Sequence, residues 1–123
     1  MKAVLFVGSG GFLGAIARYG VSLLVARFWH GEFPLATFLI NVSGSFVLGL
    51  FSVVAAERLA IDPAWRLFVA TGFVGAYTTF STFEYETQRL TESAAYGWAA
   101  LNVVTSVVAG FVAVRLGVYL AST

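Results

Sequence analysis

The sequence has no cysteine, a single histidine and two prolines, and charged residues make up 11% of its 123 positions. Each scarcity removes a class of explanation. Without cysteine there is no disulfide framework and no thiolate metal site, and nothing to indicate a redox compartment. His30 stands alone in a connector and reads as an interfacial side chain, because a metal centre needs several ligands. The acidic residues are Glu32, Glu57, Asp62, Glu84, Glu86 and Glu92, all in connectors or near the ends of apolar blocks. None is placed as a central proton or cation relay. Hydrolytic and metal chemistry therefore have little to build on, and an enzyme is not expected. The net charge is +1 and no basic stripe exists to neutralise a row of phosphates, so nucleic acid is not an expected partner either.

The bulk of the chain is apolar. Hydrophobic residues form 59% of it and the mean hydropathy is +0.89, too high for a globular domain that must clothe itself in polar surface. The expected fold is a single all-α integral membrane domain over residues 1–123. Four apolar blocks, at 3–26, 35–56, 65–91 and 94–120, each come close to the roughly 20 residues that cross about 30 Å of hydrocarbon. The connectors "RFWHGEFP" and "ERLAIDPAW" put Pro34 and Pro63 outside the spans, where proline starts a helix at little cost. The opening "MKAVLFVGSGGFLGAIA" has the charged start, apolar run and Ala-x-Ala of a secretory signal. Its apolar run resumes after Arg18 as far as Ala26, so a retained helix is the expectation.

The Lys and Arg residues near the span ends give only a slight asymmetry between the two sides. Lys2, Arg58, Arg66 and Arg115 would face one way and Arg27 and Arg89 the other. Such a weak bias fits insertion in both orientations, and it also fits one orientation set by a small excess. Gly10 and Gly14 form a GxxxG pair, and Ser45 and Gly49 repeat the spacing, as close helix packing requires. "GSGGFLG" misses the dinucleotide-binding spacing and follows no strand. Polar residues inside the spans are fewer: Arg18, Asn41, Ser43, Ser45, Asn102, Thr105 and Ser106. Arg18 either snorkels to an interface or has a buried electrostatic role, and Asn41 is either interhelical glue or a ligand contact.

The third block contains "TGFVGAYTTFSTFEYE", in which Gly72 and Gly75 weaken a helix and Thr78, Thr79, Ser81 and Thr82 supply hydroxyls. A break is expected near 75–78, tolerated only inside protein or beside a water-lined cavity. It would aim the carbonyl end of one half-helix and the amide end of the other at the same place, the first suited to cations and the second to anions. A second half starting near Thr79 puts Phe80 and Phe83 on one face, with Thr82 and Glu86 close by. By spacing alone such a pair is ordinary packing.

"GGFLGAIARY", "TFLINVSGSFVLG" and "GFVGAYTTFSTFEYE" resemble, in the same order, motifs of the Fluc (CrcB-type) fluoride ion channel family. The resemblance covers three of the four spans. It implies a four-helix subunit that pairs as an antiparallel, dual-topology homodimer in a bacterial-type plasma membrane. Two fluoride pores and a central structural sodium ion go with that assembly. It implies that Phe80, Phe83, Asn41, Ser81, Thr82 and, on a looser match, Ser106 line the fluoride pore, with Glu86 towards a pore mouth. Arg18 matches the first-span arginine, and the Gly75 and Thr78 backbone carbonyls would hold the sodium. The implied activity is passive release of cytoplasmic fluoride. Two other readings of a chain this short are a dual-topology proton-coupled drug or cation antiporter and a non-transporting assembly subunit. The antiporter requires an embedded carboxylate, which the first span lacks.

Overall fold

The computed structural model describes residues 1–58 and 62–123. Residues 59–61, part of the connector after the second expected span, lie outside the described residues. Regular structure among the described residues is entirely helical. Helix α1 runs Lys2–Phe28. Helix α2 runs Leu35–Val53 from an N-cap at Pro34 and continues as a wide π-helical turn, Val54–Arg58. The third expected span is in pieces. Helix α3, Pro63–Arg66, starts with Pro63 in its first turn, where the Asp62 carboxylate accepts the Ala64 amide at 2.8 Å. A π-helical stretch, Leu67–Val74, and the short α4, Gly75–Tyr77, come next without a gap. Thr78 and Thr79 are extended, and α5, Phe80–Glu92, completes the segment. Helix α6 runs Tyr96–Ser122.

The third and fourth blocks differ from the helices that form there. The fourth block opens at Ala94, but α6 begins two residues later, because Ala94 (φ 61°) ends α5 in a left-handed conformation. The Ala94 and Ala95 amides bond back to the Thr91 and Leu90 carbonyls at 3.0 and 2.8 Å, which satisfies the last turn of α5. Three helices, Lys2–Phe28, Leu35–Glu57 and Tyr96–Ser122, are long and apolar enough to cross a membrane. The fragments between Pro63 and Glu92 are individually too short.

The helices pack as two parallel pairs of non-neighbours. On α1, Gly10 faces the Phe68 carbonyl and Gly14 the Phe73 carbonyl, while Gly72 faces Val7 in return. Two glycines four apart on an α-helix thus receive two carbonyls five apart on the third segment. The wide π-helical turn brings both carbonyls into line with α1. In the other pair, Gly49 meets the Val114 backbone, and Gly117 meets Phe46 and Leu50. At each of these positions a Cβ would overlap backbone atoms, so glycine is a steric requirement. The outward faces of α1 and α6 stay apolar, with Phe12, Ile16, Val104, Val108 and Phe111 exposed, as expected of surfaces solvated by lipid tails.

Gly14→Ala is expected to destabilise the fold by about 2 kcal/mol or more through forced separation of α1 from the third segment. Gly8→Ala, with nothing within 4 Å of the new methyl, should be neutral or slightly stabilising. Equilibrium unfolding in mixed detergent micelles measures both, and equal losses would disprove the close-approach explanation.

Candidate functional site

The interruption at Thr78 depends on a gap in α2. Gly44 has no side chain, and a Cβ there would overlap the Thr78 methyl and lie 3.1 Å from the Tyr77 ring. Tyr77 is held from both sides, its ring stacked on Phe73 at 6.0 Å and its hydroxyl 3.0 Å from Ser43 Oγ. The chain can therefore leave the helix while resting against α2.

The peptide groups freed by the break are only partly satisfied. The Val74 carbonyl accepts from the Thr78 amide at 3.0 Å and the Thr78 hydroxyl at 2.9 Å. Arg18, half-buried on α1, donates its Nε to the Ala76 carbonyl at 3.1 Å. Asn41 on α2 takes the whole Thr79 residue: its Oδ1 accepts the Thr79 amide at 2.8 Å and its Nδ2 donates to the Thr79 carbonyl at 3.1 Å. Among the described residues no donor reaches the carbonyls of Gly75, Tyr77 or Thr78. On the far side, Thr79 caps α5. Its hydroxyl accepts the Thr82 amide at 3.3 Å and donates to Thr82 Oγ1 at 3.1 Å. The Phe80 and Ser81 amides, first in α5, find no acceptor among the described residues. A carbonyl-rich, partially negative end and an amide-rich, partially positive end thus lie side by side.

A groove of about 290 Å³ opens at this junction and brings together Asn41, Thr78, Thr79, Phe80, Phe83 and Ser106. The Phe80 and Phe83 rings lie 5.9 Å apart and tilted by 54°. Phe83 is 6% exposed, whereas Phe80 is 75% exposed and projects beyond the subunit's own packing. Ser81 is exposed beside them on the first turn of α5, and Thr82 is half-buried. Since Thr82 accepts from Thr79, its own proton remains free for another acceptor. Ser81, Thr82, Arg18 and Gly75 do not line the groove directly. Glu86 lies further along α5, in a second cavity of about 440 Å³ that it shares with Arg89, Glu32 and Trp29. Its Oε1 is buried with no hydrogen-bond partner among the described residues.

Ser106 reaches the groove but is committed elsewhere. Its hydroxyl donates to Asn102 Oδ1 at 3.2 Å, Asn102 Nδ2 donates to Thr87 Oγ1 at 2.9 Å, and the Thr87 hydroxyl donates to the Phe83 carbonyl at 2.9 Å. The orientation of the Asn102 amide follows from this chain of bonds. In this arrangement Ser106 offers lone pairs, not a proton, to the groove. Asn102 is 1% exposed and couples α6 to α5 behind Phe83. From the sequence, Asn102 stands only as a polar span residue without a role, and Thr87 carries no mark at all. The available signal was the four-residue spacing of Asn102 and Ser106, which puts them on one helix face. No local pattern ties Thr87 to α6.

A family model described as CrcB-like protein, Camphor Resistance (CrcB), matches residues 5–118. Among curated relatives, the fluoride-specific ion channel FluC of Acidobacterium capsulatum is 48% identical over 113 residues, covering 92% of this chain and 90% of its own. Fluoride-specific ion channel FluC 1 of Listeria innocua is 42% identical over 118 residues, covering 93% of this chain and 96% of its own. The FluC of a Sulfurihydrogenibium species is 40% identical over 121 residues, covering 98% of both chains.

Asn102→Leu and Thr87→Val should each destabilise the subunit by about 1–3 kcal/mol, because each strands buried polar groups. The double substitution should cost clearly less than the sum of the two, a coupling of about 1 kcal/mol or more in a double-mutant cycle read by detergent unfolding. Simple additivity would rule out the interhelical bond.

Proposed function

The chain belongs to the CrcB family, and from that membership we propose that it is a multi-pass membrane channel through which fluoride leaves the cell passively. The single observation that carries the reading is the broken third segment, which turns the amide end of α5 towards a groove bearing Phe80, Phe83 and Asn41. A bare anion moved from water into a low-dielectric medium loses on the order of 20 kcal/mol of solvation by an idealised Born estimate, so donors must replace water along the path. The site has such donors. Phe80 and Ser81 contribute unpaired amides, Ser81 and Thr82 free hydroxyl protons, and Asn41 its second N–H. The positive edges of the two phenylalanine rings suit an anion where their faces would not. Several weak contacts, none of them tight, favour passage over capture. In this reading Ser106 serves as a wall, its proton directed to Asn102, and Glu86 stands at the mouth with Arg89 beside the same cavity.

One subunit leaves the groove open and Phe80 uncovered. This supports an antiparallel homodimer in which a second copy closes the conduit and two conduits result. The weak Lys/Arg bias supports the dual topology that such pairing needs. The Gly75 and Thr78 carbonyls, which have no donor among the described residues, suit a hard monovalent cation, and a sodium ion shared across the dimer would supply the positive charge they call for. Arg18 donates to the neighbouring Ala76 carbonyl, which is thereby already satisfied, unlike those of Gly75 and Thr78.

The driving force needs no nucleotide. Hydrogen fluoride enters uncharged from acidic surroundings and dissociates in a neutral interior. An inside-negative potential then expels the anion with about 2.3 kcal/mol per 100 mV, roughly a fifty-fold gradient. The antiporter reading has no support from the relatives, which are named as fluoride channels.

Liposomes loaded with fluoride and carrying the purified protein should release it, and chloride-loaded controls should not empty at a comparable rate. Phe80→Ile and Phe83→Ile should each slow fluoride release by about tenfold or more; undiminished flux in both would remove the phenylalanines from the conduit. Lys2→Cys introduces a single thiol into a chain that has none. In right-side-out cells an impermeant thiol reagent should label about half of the copies if both orientations occur. Labelling of all copies or of none would exclude dual topology.

A further inference from the structure

We propose that Asn41 is the positioning residue of the break: its side-chain amide stands in for the missing helical partner of Thr79 and thereby aims the amide end of α5 into the groove. A primary amide carries the same donor and acceptor pair as a peptide unit. Asn41 uses both on one residue, accepting from Thr79 N at 2.8 Å and donating to Thr79 O at 3.1 Å. That closes a two-bond ring resembling a hydrogen-bonded pair in a β-ladder, which fits the extended backbone of Thr79 (φ −149°, ψ 115°). Only one N–H of Asn41 is left over. Its contribution to an anion path is therefore at most a single donor, and its larger contribution is geometric.

The consequence passes to the next turn. With its backbone held by Asn41, Thr79 is free to use its hydroxyl on Thr82, capping α5 and leaving the Phe80 and Ser81 amides as the unsatisfied pair. If Thr79 were free to rotate, those two amides would lose their common direction. Gly44, one turn along α2 from Asn41, completes the cradle by admitting the Thr78 methyl. Asn41 and Gly44 thus form one docking surface on α2, one supplying hydrogen bonds and the other space. The effect of Asn41 on flux rests on the fluoride-pore reading above; its effect on Thr79 does not.

Site-resolved hydrogen exchange by NMR in detergent micelles separates the two. In the unsubstituted protein the Thr79 amide should exchange about tenfold or more slowly than the Phe80 and Ser81 amides, an ordering opposite to that of a frayed helix start. Asn41→Leu, nearly isosteric but unable to bond, should abolish the Thr79 protection and reduce fluoride release from liposomes by about tenfold or more. Asn41→Asp keeps the acceptor and loses the donor, so it should retain protection at Thr79 while flux falls. Should the leucine variant fail to fold, the ordering in the unsubstituted protein and the aspartate result still decide the matter. Thr79 exchange as fast as that of Phe80 in the unsubstituted protein overturns the proposal, as does unchanged Thr79 protection in Asn41→Leu, which would make Asn41 a pore ligand only. Absence of fluoride flux in the unsubstituted protein would instead refute the pore reading and leave the clamp standing.

Discussion

A peptide group that leaves a helix inside hydrocarbon has no water to turn to, and each orphaned N–H or C=O costs several kcal/mol unless the protein answers it. The break between Tyr77 and Phe80 creates a set of such groups at one place, and much of the surrounding structure responds to it. Asn41 answers both the amide and the carbonyl of Thr79, Arg18 answers one carbonyl, and the Thr78 hydroxyl joins its own amide on a third. The unanswered groups sort themselves by sign, carbonyls before the break and amides after it. This separation gives a chain with so few charges a site that can distinguish a cation from an anion.

The packing that supports the break is backbone against backbone. Gly10, Gly14 and Gly72 bring the third segment onto α1, and Gly49 and Gly117 bring α2 onto α6. Lipid tails are as apolar as leucine, so burying large side chains would contribute little here, whereas close approach gains dispersion and weak Cα–H···O contacts. The same economy shows in the polar contact between α5 and α6 behind Phe83. The chain Ser106, Asn102, Thr87 and the Phe83 carbonyl is one continuous run with every member bonded. It places Phe83 against a fixed background, while Phe80, three residues earlier, remains uncovered.

Several features of the site could be read from the residues themselves. Gly75 and the run of hydroxyls announced a weak helix, and the break falls within a residue or two of the expected place. A second half-helix beginning at Thr79, with Phe80 and Phe83 on one face of α5, came from the same stretch. Other features had no local mark. The π-helical widening of Leu67–Val74 answers the glycine spacing of a helix more than fifty residues earlier in the chain. Nor does any local pattern show that the Ser106 hydroxyl donates to Asn102 Oδ1, four residues earlier on the same helix.

Composition, span lengths and the glycine-hydroxyl run by themselves determined a membrane-embedded bundle with one span interrupted, because apolar length and helix propensity are local properties of the chain. Which peptide groups at the interruption are bonded and which stay open was decided only by tertiary structure. A hydrogen bond needs a donor within about 3 Å, and Asn41 and Arg18 reach Thr79 and Ala76 only because the glycine-lined helix pairs bring distant parts of the chain into contact.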